Sequence, residues 1–157
     1  MDFPFFYVRN SFSNLKYVIF VFSFKACKYK DVMDKYLIIK TRDEFLRIKI
    51  NDILYLEADR NYTKLLLTEG IQFTFAINLG KIEEMFENQI HDSKLMLIRV
   101  GKSYIINKNY ILQINLPRQK LLLLPPNGKP RELVIPKEPL KVLKETLEQE
   151  GMKLERK

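Results

Sequence analysis

Two carboxylates two residues apart, Glu57 and Asp59, offer the most obvious reactive chemistry in this 157-residue chain. On a strand, residues i and i+2 share a face, and paired acids on one face can run acid–base hydrolysis or hold a metal. The partners that such a site needs are missing from the sequence around them. A single histidine, His91, leaves no histidine pair, and it follows a helical stretch in a polar loop where exposure is its ordinary role. No nucleophile stands beside a base. With five glycines and no G-x-x-x-x-G-K-[ST] or G-x-G-x-x-G string, a glycine-rich phosphate cradle is excluded as well. Glu57 and Asp59 are therefore read as folding groups. No enzyme activity, cofactor, metal or small-molecule substrate is expected. The lone Cys27 forbids an internal disulfide and fits a reducing compartment, the cytoplasm.

The cations point elsewhere. Lys and Arg number 27 against 19 Asp and Glu, a net charge of +8. Residues 1–35 hold +3 of this and the remainder +5, so the main part of the chain is basic in its own right. Such an excess attracts nucleic acid or an anionic membrane, although many domains carry a modest positive charge without binding either. Taken singly, Arg99, Lys102 and Lys108 stand near strand ends, where solvation is the default. Ser103 can close a turn or grip a phosphate, and the turn is the commoner role. Tyr55, Tyr62 and Tyr104 fall in strand patterns and are assigned to core or edge packing. Asn107 is assigned to holding the loop before Ile111.

These residues ride on a regular series of elements. Strands are predicted over Tyr36–Lys40, Glu44–Ile50, Ile53–Ala58, Tyr62–Leu67 and Ile71–Ala76, with a turn at Asn51-Asp52, a tight connection at Asp59–Asn61 and a hairpin turn at Glu69-Gly70. The period then changes. Leu79, Ile82, Met85 and Phe86 have helical spacing within 78–90, behind Asn78 as an N-cap. Strands resume at Leu95–Val100, Tyr104–Ile106, Ile111–Asn115, Lys120–Leu124 and Glu132–Ile135, with a turn at Pro125–Gly128. A closing helix, Lys137–Glu150, carries Leu140, Leu143 and Leu147 as its stripe, with Pro139 in its first turn. The chain is thus mostly β, with hairpins, two helices and no parallel α/β alternation. No heptad run or broad apolar helix face is visible, so a monomer in solution is expected.

Residues 1–35 differ in composition. Their apolar run, Tyr17–Phe24, has eight residues, far short of the roughly 20 that span a bilayer. The segment is read as an N-terminal extension, either non-native sequence upstream of a start at Met33 or a disordered or edge-packed tail, and only last as a signal or anchor. Residues 36–150 form the domain and 151–157 a C-terminal tail.

Three strings within this domain resemble one family. Asn51–Leu67, NDILYLEADRNYTKLLL, resembles the opening of a LytTR domain, with its Asp-Ile-x-Tyr-Ile-Glu-Ala strand followed by a short turn and a second strand. Leu97–Asn107, LIRVGKSYIIN, resembles that family's second signature, close to Phe-x-Arg-Val-His-Arg-Ser-Tyr-Ile-Val-Asn. Between them, Asn78–Phe86 (NLGKIEEMF) resembles its intervening helix. Order and spacing agree from about Tyr36 to Leu147. The resemblance implies an elongated fold of small antiparallel sheets with two helices. It also implies sequence-specific DNA binding by loops that enter successive major grooves, in a bacterial transcription regulator like the output domain of a response regulator. The DNA-facing residues it implies are Asn61, Thr63 and Lys64 in the first loop, Arg99, Lys102 and Ser103 in the second, and Lys137 in the third.

The chain departs from the family pattern at three places. The frequent histidine of the second signature is Gly101 here, the arginine beside it is Lys102, and a late arginine is Lys137. Arginine offers a guanine edge two donors from a fixed fork, whereas lysine is a mobile point charge. Both changes favour phosphate binding over base reading, while Gly101 would let the backbone approach DNA. The partner implied is double-stranded DNA carrying paired direct repeats, with a second copy of the chain bound beside the first. A receiver domain needs on the order of 120 residues, so control is expected from an upstream signalling partner, from abundance or from the N-terminal segment. The competing function is a basic β-rich module that binds protein or membrane without reading DNA.

Overall fold

The computed structural model describes residues 35–91, 96–126 and 128–155. The N-terminal extension, apart from Lys35, lies outside the described residues. In chain order the elements are β1 (Tyr36–Lys40), β2 (Phe45–Lys49), β3 (Ile53–Asp59), β4 (Tyr62–Leu67), β5 (Gln72–Phe75), α1 (Leu79–Gln89), β6 (Leu97–Val100), β7 (Tyr104–Asn107), β8 (Ile111–Asn115), β9 (Lys120–Leu123), β10 (Arg131–Val134) and α2 (Lys137–Glu155). Every strand pairing is antiparallel. Three sheets result: a hairpin β1-β2, a three-stranded sheet β10-β9-β8, and a five-stranded sheet β5-β4-β3-β7-β6. The mostly β architecture with two helices agrees with the reading of the sequence.

Alternation decides which side chains each sheet buries. On β1, Leu37 and Ile39 point inward while Ile38 and Lys40 face water. The five-stranded sheet is buried on both faces. One face carries Leu56, Leu65, Phe75 and Ile105 against Leu79, Ile82 and Phe86 of α1 and Leu37, Ile39 and Ile48 of the hairpin. The other carries Leu54, Leu66, Val100 and Ile106 against Leu121, Leu123 and Leu133 of the smaller sheet and Leu140 and Leu143 of α2. Each such side chain contributes roughly 1.5–3 kcal/mol when fully buried, so two shells hold the central sheet flat between them.

The helix ends follow local chemistry. Asn78 caps α1, its Oδ1 accepting from the Lys81 amide at 2.8 Å, as its position before the apolar repeat predicts. At the other end of α1, Gln89 grips β1. Its Oε1 accepts from the Ile38 amide and its Nε2 donates to the Ile38 carbonyl, both at 2.9 Å. Helix α2 runs to Glu155, past the predicted end at Glu150. A helical glycine such as Gly151 costs about 1 kcal/mol relative to alanine but does not stop a helix as proline does. A half-buried ion pair, Lys108 Nζ to Glu150 Oε1 at 2.8 Å, fastens this part of α2 to the segment after β7.

Candidate nucleic-acid interface

Antiparallel pairing brings the ends of several elements together. Strand β3 pairs with β7 through Glu57 and Tyr104, so the end of β3 lies beside the start of β7. The Ala58 amide donates to the Ser103 carbonyl at 2.7 Å. The β3–β4 turn and the β6–β7 turn are therefore neighbours. The start of α2 joins them, because a Cβ on Gly101 would stand 3.1 Å from Pro139 Cγ. The start of α1 arrives at the same end through Thr63, whose hydroxyl donates to the Ile77 carbonyl at 2.7 Å.

The first turn is a two-residue connection, Arg60-Asn61, with Asp59 paired to Tyr62. Arg60 takes φ 58°, and both turn residues are exposed. Lys64 Nζ lies 2.9 Å from Asp59 Oδ2. The hydrogen bond from Lys64 holds the Asp59 carboxyl below its usual value, and Asp59 in turn raises the Lys64 ammonium. Both partners are substantially exposed, where such a pair is worth little. Thr63, in contrast, is fully buried. Its expected place on the DNA-facing loop is corrected here: β4 turns it inward, and its hydroxyl satisfies the Ile77 carbonyl.

The second turn is Gly101–Ser103, where Lys102 and Ser103 are exposed. Arg99 holds it from beneath. Its Nε donates to the Gly101 carbonyl at 3.1 Å and its Nη2 to the Lys102 carbonyl at 2.9 Å. Its Nη1 pairs with Glu83 Oε2 of α1 at 2.7 Å. The fork that could grip a base is thus committed to the backbone of its own turn, and Arg99 acts as a brace. Gly101 takes φ +64° against Pro139. The third position, Lys137, is exposed at the start of α2. Among the described residues, no salt bridge engages Arg60, Lys102 or Lys137. Sequence reasoning passed over Arg60. The signal lay in the spacing, since a two-residue turn between paired strands presents its side chains to solvent.

The two carboxylates do not form a joint site. Asp59 is taken by Lys64, and Glu57 Oε1 accepts from the Tyr104 hydroxyl at 3.1 Å. Tyr104 packs edge-on against Tyr55, ring centres 6.2 Å apart. Tyr62 departs from the packing role assigned to all three tyrosines and is 52% exposed. It shares a face of β4 with Leu66, but it lies beyond the cover that the smaller sheet gives Leu66. Asn107 does hold the loop before Ile111, its Oδ1 accepting from the Asn109 amide at 3.1 Å.

Burial, followed by the negative charge of Glu57 and its hydrogen bond, pushes the Tyr104 hydroxyl up to about 12 from 10.0. Folding therefore favours the neutral phenol. That contribution is fully present below pH 10 and is lost as pH rises through about 12. Stability should fall across this window, and Tyr104→Phe should flatten the fall. Denaturant melts at stepped pH, read beside phenolate absorbance, check this; an equal fall in the variant would rule it out.

The class defined here is a β-rich domain that gathers loops from separate elements, with unpaired cations, at one end. The family model described as the LytTr DNA-binding domain matches residues 43–148. The chain belongs to the LytTR family of DNA-binding domains, a family of DNA binders and not of enzymes. A solved structure is similar: the LytTr DNA-binding domain of a protein described as a methyl-accepting/DNA response regulator from Bacillus cereus. It is 23% identical, with a TM-score of 0.50, and the match covers 72% of this chain and 96% of that one. The likeness concerns the fold. No curated protein matches the chain. Family membership makes this a DNA-binding domain of transcription regulation, with double-stranded DNA as its partner.

Proposed function

We propose that this chain is a sequence-specific transcription regulator that reads successive major grooves with its clustered turns, in the cytoplasm. The observation that carries the reading is the convergence of Asn61, Lys102, Ser103 and Lys137, from three separate connections, on one end of the molecule. Arg60 adds a cation there. Lys64 can exchange Asp59 for a phosphate at small cost, because that pair is exposed. Arg99 serves by fixing the turn that presents Lys102. Loops held this way are preorganised, which lowers the ordering cost of binding. Paired direct repeats occupied by two copies, under an upstream signalling partner, complete the proposal. The basic-module alternative shares the charge but has no use for this convergence.

The test begins with duplexes selected by the purified chain from a random pool. Lys102→Ala should weaken the selected site by about 1–2 kcal/mol, the lower part of the range for a base contact, since lysine lacks the guanidinium fork. It should flatten preference at one position. Lys137→Ala should weaken selected and scrambled duplexes alike and lower the logarithmic salt slope by about one unit. Unchanged affinity in both folded variants would refute the assignment of these turns and favour the interaction module.

A further inference from the structure

The connection between β8 and β9 lies next to the third of these turns. Strand β9 pairs with β10 through Lys120 and Val134, so the start of β9 borders the end of β10. The Ile135 amide donates to the Gln119 carbonyl at 3.0 Å. Lys137 is only two residues further on, which extends the row of turns by one more.

This turn is also built rigidly. The Arg118 amide donates to Asn115 Oδ1 at 3.1 Å, and the Gln119 amide donates to the Leu116 carbonyl at 3.1 Å. Gln119 takes φ 55°, which reverses the chain and leaves Arg118 exposed at the tip. Charges around it are already matched. Lys120 pairs with Glu132, the one carboxylate among the side chains lining the shallow cleft beside Arg118. No salt bridge engages Arg118 among the described residues.

We infer that Arg118 is a further DNA contact of this chain, binding a backbone phosphate beside the one that Lys137 meets. The inference rests on the reading that the clustered turns face DNA. Phosphate is the ligand because the turn lies at the flank of the row, where the backbone of a duplex passes, and phosphate contacts set register without carrying sequence. A guanidinium on a fixed turn suits that task. Asn115 is a positioning residue, since its side chain holds the turn and touches no ligand.

The experiment uses the full chain, a duplex it selects from a random pool, and a scrambled duplex of equal length, across a salt series. Arg118→Ala should weaken both duplexes by the same factor and lower the logarithmic salt slope by about one unit. Arg118→Lys should keep most of the affinity, because a point charge suffices for a phosphate. Arg118 is exposed, so both variants should melt like the parent. If Arg118→Ala changes neither duplex while Lys102→Ala and Lys137→Ala weaken binding, the inference fails and the reading of the turns stands. If Arg118→Ala weakens the selected duplex alone and Arg118→Lys does not rescue it, the residue reads a base and the phosphate assignment is overturned. If all three alanine variants bind normally, the reading of the turns fails and takes this inference with it.

Discussion

Asn107→Ala is expected to lower the free energy of unfolding by about 3 kcal/mol, read as a lower denaturant midpoint at unchanged slope. The side chain is completely buried. Its Nδ2 donates to the Ile53 carbonyl at 2.9 Å and approaches the Ile50 carbonyl at 3.5 Å. Its Oδ1 accepts from the Asn109 amide. One carboxamide thus stitches the end of β7 to the bend that leads into β3 and to the connection that follows. Alanine strands a buried carbonyl and opens a small void, and water has no easy route to either. Asn107→Asp should be worse at neutral pH, because an ionised carboxylate cannot donate and would face carbonyl oxygens. Protonation restores a donor, so the Asp variant should recover part of its stability below the ordinary carboxylate range. A loss under 1 kcal/mol in the alanine variant would mean that the bend is held by packing alone.

Gly101→His is expected to cost about 2–3 kcal/mol, although it restores the residue frequent at this place in the family signature. Gly101 has φ +64°, where a side chain costs roughly 1–2 kcal/mol. Its Cβ would also press on Pro139 at 3.1 Å, a contact that moves the start of α2 or the turn itself. Lys102 and Lys137 flank this contact, so DNA affinity should fall together with stability. Gly101→Ala tests the conformational part without the imidazole and should give most of the destabilisation. A stable Gly101→His variant with tighter DNA binding would show that the turn can relax into the family's usual arrangement.

Gly101 also marks where the sequence stopped being readable. As a letter it suggests room for a DNA backbone. The structure gives it another task, the close approach of a turn to a proline 38 positions away, which no local pattern contains. The same holds for Arg99 and Thr63. Both occupy positions that the family resemblance places toward DNA. Yet the guanidinium is spent on Glu83 and two turn carbonyls, and the hydroxyl is spent on Ile77. Whether a polar side chain meets solvent or a buried carbonyl depends on tertiary partners. What was legible is what local physics sets. The Asn78 cap, the strand Tyr62–Leu67 and the tight connection after Asp59 follow from short-range chemistry, and they stand where that chemistry puts them. The end of α2 was misjudged because its continuation past Gly151 is not settled by the last apolar leucine.

The grip of Gln89 on Ile38 has a consequence for how this chain behaves in a crowd. A strand with an open backbone edge is a template for another strand, and a two-stranded hairpin has little else to protect it. The Gln89 amide imitates one rung of a neighbouring strand, giving and taking one hydrogen bond on the outward edge of β1. It fills the rung that a foreign chain would use first, at a site where exposed Ile38 and Phe45 would otherwise help the foreign chain adhere. Aggregation resistance in this molecule thus rests in part on a single exposed glutamine at the end of a helix.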